Sequence, residues 1–163
     1  DAPTDAGYSA LACGLHHGVA LRNDGRVVMW GGNSYRQRVD MPTDARYVMV
    51  TCGNHSSCAL RDDGRVVVWG RNDRRQRDGA PTDVGYVSIA CGYAHSCALH
   101  TSGRVVTWGD SAHQQRDGAP TDAGYVSIAC GFDYSCALHK SGRVVCWGSN
   151  IKGTALQPTR ATC

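Results

Sequence analysis

Phenylalanine occurs once in this chain, at Phe132, and methionine three times, against twenty glycines. A large helical core draws on both scarce residues, so the balance favours many short strands joined by tight turns. No apolar run approaches the roughly 20 residues needed to cross a bilayer, and no membrane insertion is expected. No secretory leader is visible, and the chain opens on Asp1 rather than Met. Either something was cleaved off or this is part of a longer protein. Lysine is nearly absent: Lys140 and Lys152 are the only two. A GC-rich genome explains that as readily as a demand for guanidinium groups. The net charge of +3 is too small to argue for a nucleic-acid partner. There is no phosphate loop, nucleophile elbow or paired-histidine metalloprotease motif, so an enzyme is not expected and no cofactor is implied.

What the chain does have is a period. Trp30, Trp69, Trp108 and Trp147 stand 39 residues apart. Pro3, Pro42, Pro81 and Pro120 keep the same interval, as do Cys13, Cys52, Cys91 and Cys130, and Gly25, Gly64, Gly103 and Gly142. Four landmarks in one register define four tandem units, at 1–39, 40–78, 79–117 and 118–163, the last including a C-terminal cap. Together they make one globular domain: 42% of residues are hydrophobic and 19% charged.

Each unit reads as strands. In the third, Val87, Ile89 and Cys91 alternate with Ser88 and Ala90, the period-two signature of a half-buried strand. Gly92 ends it. A second strand runs from Cys97 to His100, and Thr101, Ser102 and Gly103 turn the chain with glycine at the left-handed position. A third covers Val105 to Trp108. The polar loop Asp110 to Gly118 leads to Pro120, whose ring bars it from a central strand, so Pro120 to Ala123 is an outer edge strand or an extended linker. One such unit cannot bury its own apolar face, and neighbours must stack. The four tryptophans follow valine-rich strands at one position and are expected in the core. The fold expected is all-β: propeller blades, either closed as four or part of a larger ring completed by another chain or by sequence outside this one.

The unit V-x-I-x-C-G-x-x-H-S-C-A-L-x-x-x-G-R-V-V-x-W-G, at Val87 to Gly109 and echoed at Val48 to Gly70 and Val126 to Gly148, closely resembles the regulator of chromosome condensation repeat. Its short form, with Gln115 after Trp-Gly and Pro120 before the next strand, looks most like the secreted β-lactamase-inhibitor branch of such propellers. The resemblance implies a propeller blade and a role in protein binding. The family usually closes a ring of about seven blades, whereas this chain has four units. Four units stacked as an open arc would expose apolar sheet faces at both ends. The first unit departs at His16-His17-Gly18-Val19, and the last drifts after Trp147 and stops near Pro158.

Nine cysteines favour an oxidising compartment: extracellular, periplasmic or luminal. The count is odd, leaving one thiol free or partnered elsewhere. Cys136 and Cys146 fall opposite each other if the hairpin turns through Lys140 to Gly142, and that pairing resembles disulfide-bearing family members. In units two and three the local options are Cys52 with Cys58 and Cys91 with Cys97; in unit four Cys130 competes for Cys136. Cys13 and Cys163, at opposite ends, could close a ring or join chains. Alternatively, many of these are small buried residues. A zinc site from Cys91, His95 and Cys97 lacks paired C-x-x-C spacing, and no metal is expected.

The tips after each Cys-Gly vary: Leu15-His16-His17, Asn54-His55-Ser56, Tyr93-Ala94-His95 and Phe132-Asp133-Tyr134. Varied loops on a constant frame suit recognition of a protein partner; the competing reading has His95 and its equivalents satisfying buried backbone. A second variable loop follows each Trp-Gly, and in unit two its Arg71, Arg74 and Arg75 could meet an acidic partner or simply be solvated. Arg26, Arg65, Arg104 and Arg143 recur and read as scaffold; Gln37, Gln76 and Gln115 read as bonding backbone between blades. Asn54 heads a glycosylation sequon, meaningful only in a eukaryotic secretory route. The leading expectation is a non-catalytic binding scaffold, as a homo-oligomer or within a larger assembly. The alternatives are a secreted enzyme inhibitor and a multivalent lectin, the last disfavoured because no aromatic-plus-acid set recurs in all four loops.

Overall fold

A computed structural model describes residues 2–149. Twelve strands form four antiparallel three-stranded sheets, one per repeat. The first holds β1 (Tyr8–Cys13), β2 (His17–Arg22) and β3 (Val27–Gly31); the second β4 (Tyr47–Cys52), β5 (Ser56–Arg61) and β6 (Val66–Gly70). The third holds β7 (Tyr86–Cys91), β8 (His95–His100) and β9 (Val105–Gly109); the fourth β10 (Tyr125–Cys130), β11 (Tyr134–His139) and β12 (Val144–Gly148). The middle strand lies between its sequence neighbours in every sheet. The hairpin joining the second and third strands turns through a left-handed glycine, with φ of 81° at Gly25, 77° at Gly64, 78° at Gly103 and 84° at Gly142, a conformation glycine adopts without a Cβ penalty. The Pro120 to Ala123 stretch pairs with no strand and is a linker.

The first strand of each sheet departs from simple alternation. The ladder slips between Tyr86 and Ser88, and at the same place in the other three sheets. One extra residue on a strand reverses which side chains face inward. Tyr86 is therefore buried and Val87 exposed, contrary to the reading that put Val87 on the buried face with Ile89.

Strands alternate their side chains between two faces, and in the second and third sheets both faces pack. The forward face of one sheet meets the rear face of the next. Val19, Leu21, Val27 and Met29 of the first sheet pack on Tyr47, Val50, Ala59 and Trp69 of the second. Leu60 and Val66 pack in the same way on Tyr86, Ile89 and Trp108, and Leu99 and Val105 on Tyr125 and Trp147. Trp69, Trp108 and Trp147 are thus core; Trp30, on the rear face of the first sheet, is only half-buried. No hydrophobic cluster joins the fourth sheet to the first among the described residues, and the four blades form an arc.

Candidate protein-binding surface

The variable tips lie between the first and second strands, and their backbones are tied together across the blades. The Leu15 N–H donates to the Asn54 carbonyl (3.1 Å), Asn54 N–H to the Tyr93 carbonyl (3.2 Å) and Tyr93 N–H to the Phe132 carbonyl (3.0 Å). This row needs the glycine of each Cys-Gly. A Cβ on Gly53 would stand 2.6 Å from the Gly92 carbonyl oxygen, and one on Gly92 2.5 Å from that of Gly131. The loops after Trp-Gly join the same surface, because Gly32 N–H donates to the His16 carbonyl, Arg71 to His55 and Asp110 to Ala94.

The side chains of the row divide. Leu15, His16, Tyr93 and Phe132 are exposed, and Tyr93 and Phe132 stack at 4.3 Å between ring centroids. Tyr35 packs on His55 at 4.3 Å, with the Arg71 guanidinium 4.8 Å above its ring. Tyr35, Arg71 and Asp73 line a groove of about 350 Å³ between the first two blades. Asp133 is half-buried, and Tyr134 is exposed at the end of the arc. Asn54 is half-buried with both backbone groups in the ladder, and Ser56 of its sequon is buried.

His17 and His95 are not surface residues. Both are buried, and each reaches the next blade: His17 Nε2 to Ser57 Oγ at 2.9 Å, His95 Nε2 to Ser135 Oγ at 2.8 Å. They bond a serine hydroxyl rather than backbone, and their Nδ1 atoms have no partner among the described residues. Burial, with His55 and His16 nearby, holds His17 below the usual histidine range; burial and Arg71 do the same for His55.

The basic loop of the second unit is largely neutralised. Arg71 pairs with Asp73, Arg74 with Asp110 of the next unit at 3.3 Å, and Arg77 with Asp40, at the start of its own unit, at 3.0 Å. Arg75 has no ion pair with a described residue. It stands at φ 58°, and its equivalents Arg36 and Gln114 at 60° and 62°, all left-handed without being glycine. The recurring glutamines bond their own loops: Gln76 Oε1 accepts from Arg74 N–H and Gln115 Oε1 from His113 N–H. Between blades an indole reaches the glutamine's backbone, Trp108 Nε1–H donating to the Gln76 carbonyl and Trp147 to that of Gln115, both 2.8 Å, and Gln115 Nε2–H donates to Asp133 Oδ1 at 3.3 Å. The recurring arginines Arg26, Arg65, Arg104 and Arg143 are exposed, and surface pairs such as Arg143–Asp122 contribute little.

Of the cysteines, Cys136 and Cys146 are direct partners across β11 and β12 and form a disulfide. Cys52–Cys58 and Cys91–Cys97 do not form, and β register explains why. Cys52 lies opposite Ser57 and Thr51 opposite Cys58, which puts the two thiols on opposite faces of one sheet. Each faces a neighbouring blade instead. Cys58 and Cys91 bring their Sγ atoms to 3.2 Å, Cys97 and Cys130 to 3.4 Å, all as free thiols. Cys97 is pushed up by its contact with Cys130 and by burial; Cys130 is held below the usual thiol range by Cys97, with His95 and Ser135 adding to it. Cys91 thus faces Cys58, away from the proposed zinc set, and no group of three metal-ligating side chains occurs among the described residues. Cys13 is exposed, and Cys163 lies outside the described residues.

Repeated three-stranded sheets stacked face to face, with variable tips hydrogen-bonded along one side, define a β-propeller of tandem blades. Residues 8–37, 48–76, 86–115 and 125–154 each match the regulator of chromosome condensation (RCC1) repeat, and the chain belongs to that family. Among solved structures it is similar to the ectodomain of the receptor kinase CR4 from Physcomitrella patens, at 30% identity and TM-score 0.74 over 91% of this chain and 42% of that one. Human WBSCR16 shares 21% identity at TM-score 0.77, over 88% of this chain and 48% of that one. Yeast RCC1 (Prp20), solved bound to Kap60, shares 23% at TM-score 0.72, over 90% and 45%. The chain therefore spans less than half the length of each. No curated protein matches it.

Proposed function

We propose that this chain is a non-catalytic protein-binding scaffold of an oxidising compartment, extracellular, periplasmic or luminal, and that the row of tips is its partner-facing surface. One observation carries this reading. Leu15, His16, Tyr93 and Phe132 stay in solvent, Phe132 at 62%, while the backbone beneath them is locked from blade to blade. Exposed aromatic groups on a preorganised backbone are what a protein interface uses, since little ordering entropy remains to be lost on binding. The left-handed Arg36, Arg75 and Gln114 point the same way. Each keeps a side chain where glycine would relieve strain, and such strain concentrates at binding sites. The disulfide supports the compartment, and yeast RCC1 is a relative that holds a protein partner.

The test is to immobilise wild-type protein and a Tyr93→Ala/Phe132→Ala variant and compare what each captures from the secreted or luminal fraction of its source. Two interface anchors lost should weaken capture at least roughly tenfold, with an unchanged melting temperature because both rings are exposed. The same proteins captured in the same amounts by both forms would refute the assignment.

A further inference from the structure

We propose that the two ends of the arc are one interface cut in half, and that a second copy of this chain completes the ring head to tail. The three interior junctions show what each end fits. The forward face of the fourth sheet carries Leu138 and Val144 where the first three sheets carry Leu21, Leu60, Leu99 and Val27, Val66, Val105. Those interior valines are 5–7% exposed under the next blade, whereas Val144 is 60% exposed. The rear face of the first sheet carries Tyr8, Leu11 and Trp30 where later sheets carry Tyr47, Val50, Trp69 and their repeats. Val50 and Ile89 are 8% and 6% exposed; Leu11 is 67%. Each open face thus has the composition of a face that elsewhere receives the other.

The departures at the two ends stand at facing positions. In the interior, His17 and His95 of one blade reach Ser57 and Ser135 of the next. At the forward end Tyr134 takes the histidine position, and the serine position it would face on a second copy is Gly18, where the Trp30 indole of the same sheet occupies the place of a Cβ. The thiols repeat as well: Cys58 faces Cys91 and Cys97 faces Cys130 across interior junctions, and the same register sets Cys136 against Cys13 of the second copy. A head-to-tail contact is heterologous; two copies close it into a ring with two equivalent junctions.

Light scattering across a dilution series should give twice 17.4 kDa, dissociating on dilution. Leu11→Asp and Val144→Asp each alter a side chain already in solvent, so each should keep the fold and melting temperature of a single copy and be monomeric alone. An equimolar mixture should regain the two-copy mass, because one junction in the pair has both faces intact. In a Cys146→Val variant, which takes the residue found at Val68, Cys136 becomes a thiol. Oxidised glutathione should then join it to Cys13 of the other copy, the two thiols giving up two protons and two electrons to yield two reduced glutathiones, and mass spectrometry should find the Cys13–Cys136 peptide. A wild-type monomer at every concentration, as when residues 150–163 cover the face, would overturn the proposal. So would a mixture that stays monomeric, or cross-links joining like ends.

Discussion

Removing one tryptophan indole tests the arc directly, because the four equivalent residues are not equally buried. Trp108 is enclosed by Leu60, Val66, Tyr86, Ile89 and Ala98, and its Nε1–H donates to the Gln76 carbonyl at 2.8 Å. Trp108→Ala should cost about 3–5 kcal/mol from lost burial and the cavity left behind. At roughly 2–4 °C per kcal/mol for a chain of this size, the melting temperature should fall by about 6–20 °C. Trp108→Phe isolates the hydrogen bond. It keeps most of the apolar contact but leaves a buried carbonyl without its donor, a loss of about 1–3 kcal/mol. Trp30 has no blade behind it within one copy and is half-buried. Trp30→Ala should therefore cost only about 1–2 kcal/mol in dilute solution. Thermal and urea unfolding followed by circular dichroism, at concentrations where single copies dominate, would measure all three. Equal losses for Trp30→Ala and Trp108→Ala would refute the reasoning, since only a closed four-bladed ring buries both alike.

Two further outcomes follow from the frame. Tyr86 and Tyr125 donate to Asp83 and Asp122 at 2.8 and 2.7 Å, and burial followed by the neighbouring carboxylate pushes each phenol up to about 12. The unfolded phenol ionises near 10.0, so this stabilisation is whole below pH 10 and disappears as pH rises through about 12; melts recorded across that window should show the loss, and Tyr86→Phe should blunt it. Reducing the Cys136–Cys146 disulfide, which closes a separation of 10 residues, should lower stability by about 2–3 kcal/mol. Melting with and without reductant measures this, and Cys146→Val should show the same loss with no further response to reductant.

The repeats, the strand pairs, the glycine turns and the Cys136–Cys146 bridge were legible in the sequence, because each rests on local spacing. What escaped it lies between blades or breaks the local rule. The period-two reading assumed an unbroken ladder, and the slip at Tyr86 and Ser88 put Val87 outside. For Cys52 and Cys91 the sequence offers partners in the same unit, Cys58 and Cys97, while β register turns both toward the preceding blade. Gln76 was expected to bridge blades with its side chain; its backbone carbonyl does so instead. The sequence also carries a further signal: Asp5 and Tyr8, Asp44 and Tyr47, Asp83 and Tyr86, Asp122 and Tyr125 recur at the same 39-residue interval as the tryptophans. That spacing could have found the pairs that tie each linker to the strand after it.

Repetition also locates what is particular to this chain. Interior junctions repeat one plan, a Leu and a Val packed on a Tyr, an aliphatic residue and a Trp, so a change there disturbs a packed contact, whereas tips and end faces are released from that constraint. The tips vary accordingly. The end faces do not change in the way released surfaces do. Natural sheets blunt faces and edges left in solvent with charge, yet Leu11, Trp30, Leu138 and Val144 remain apolar at the two ends of the arc. Two changes occur there: Tyr134 stands at the position of His17 and His95, and Gly18 stands at that of the serines, its missing Cβ leaving room for the Trp30 indole of the same sheet. Apolar side chains kept at both ends are what two surfaces that meet would carry, as the proposed two-copy ring requires.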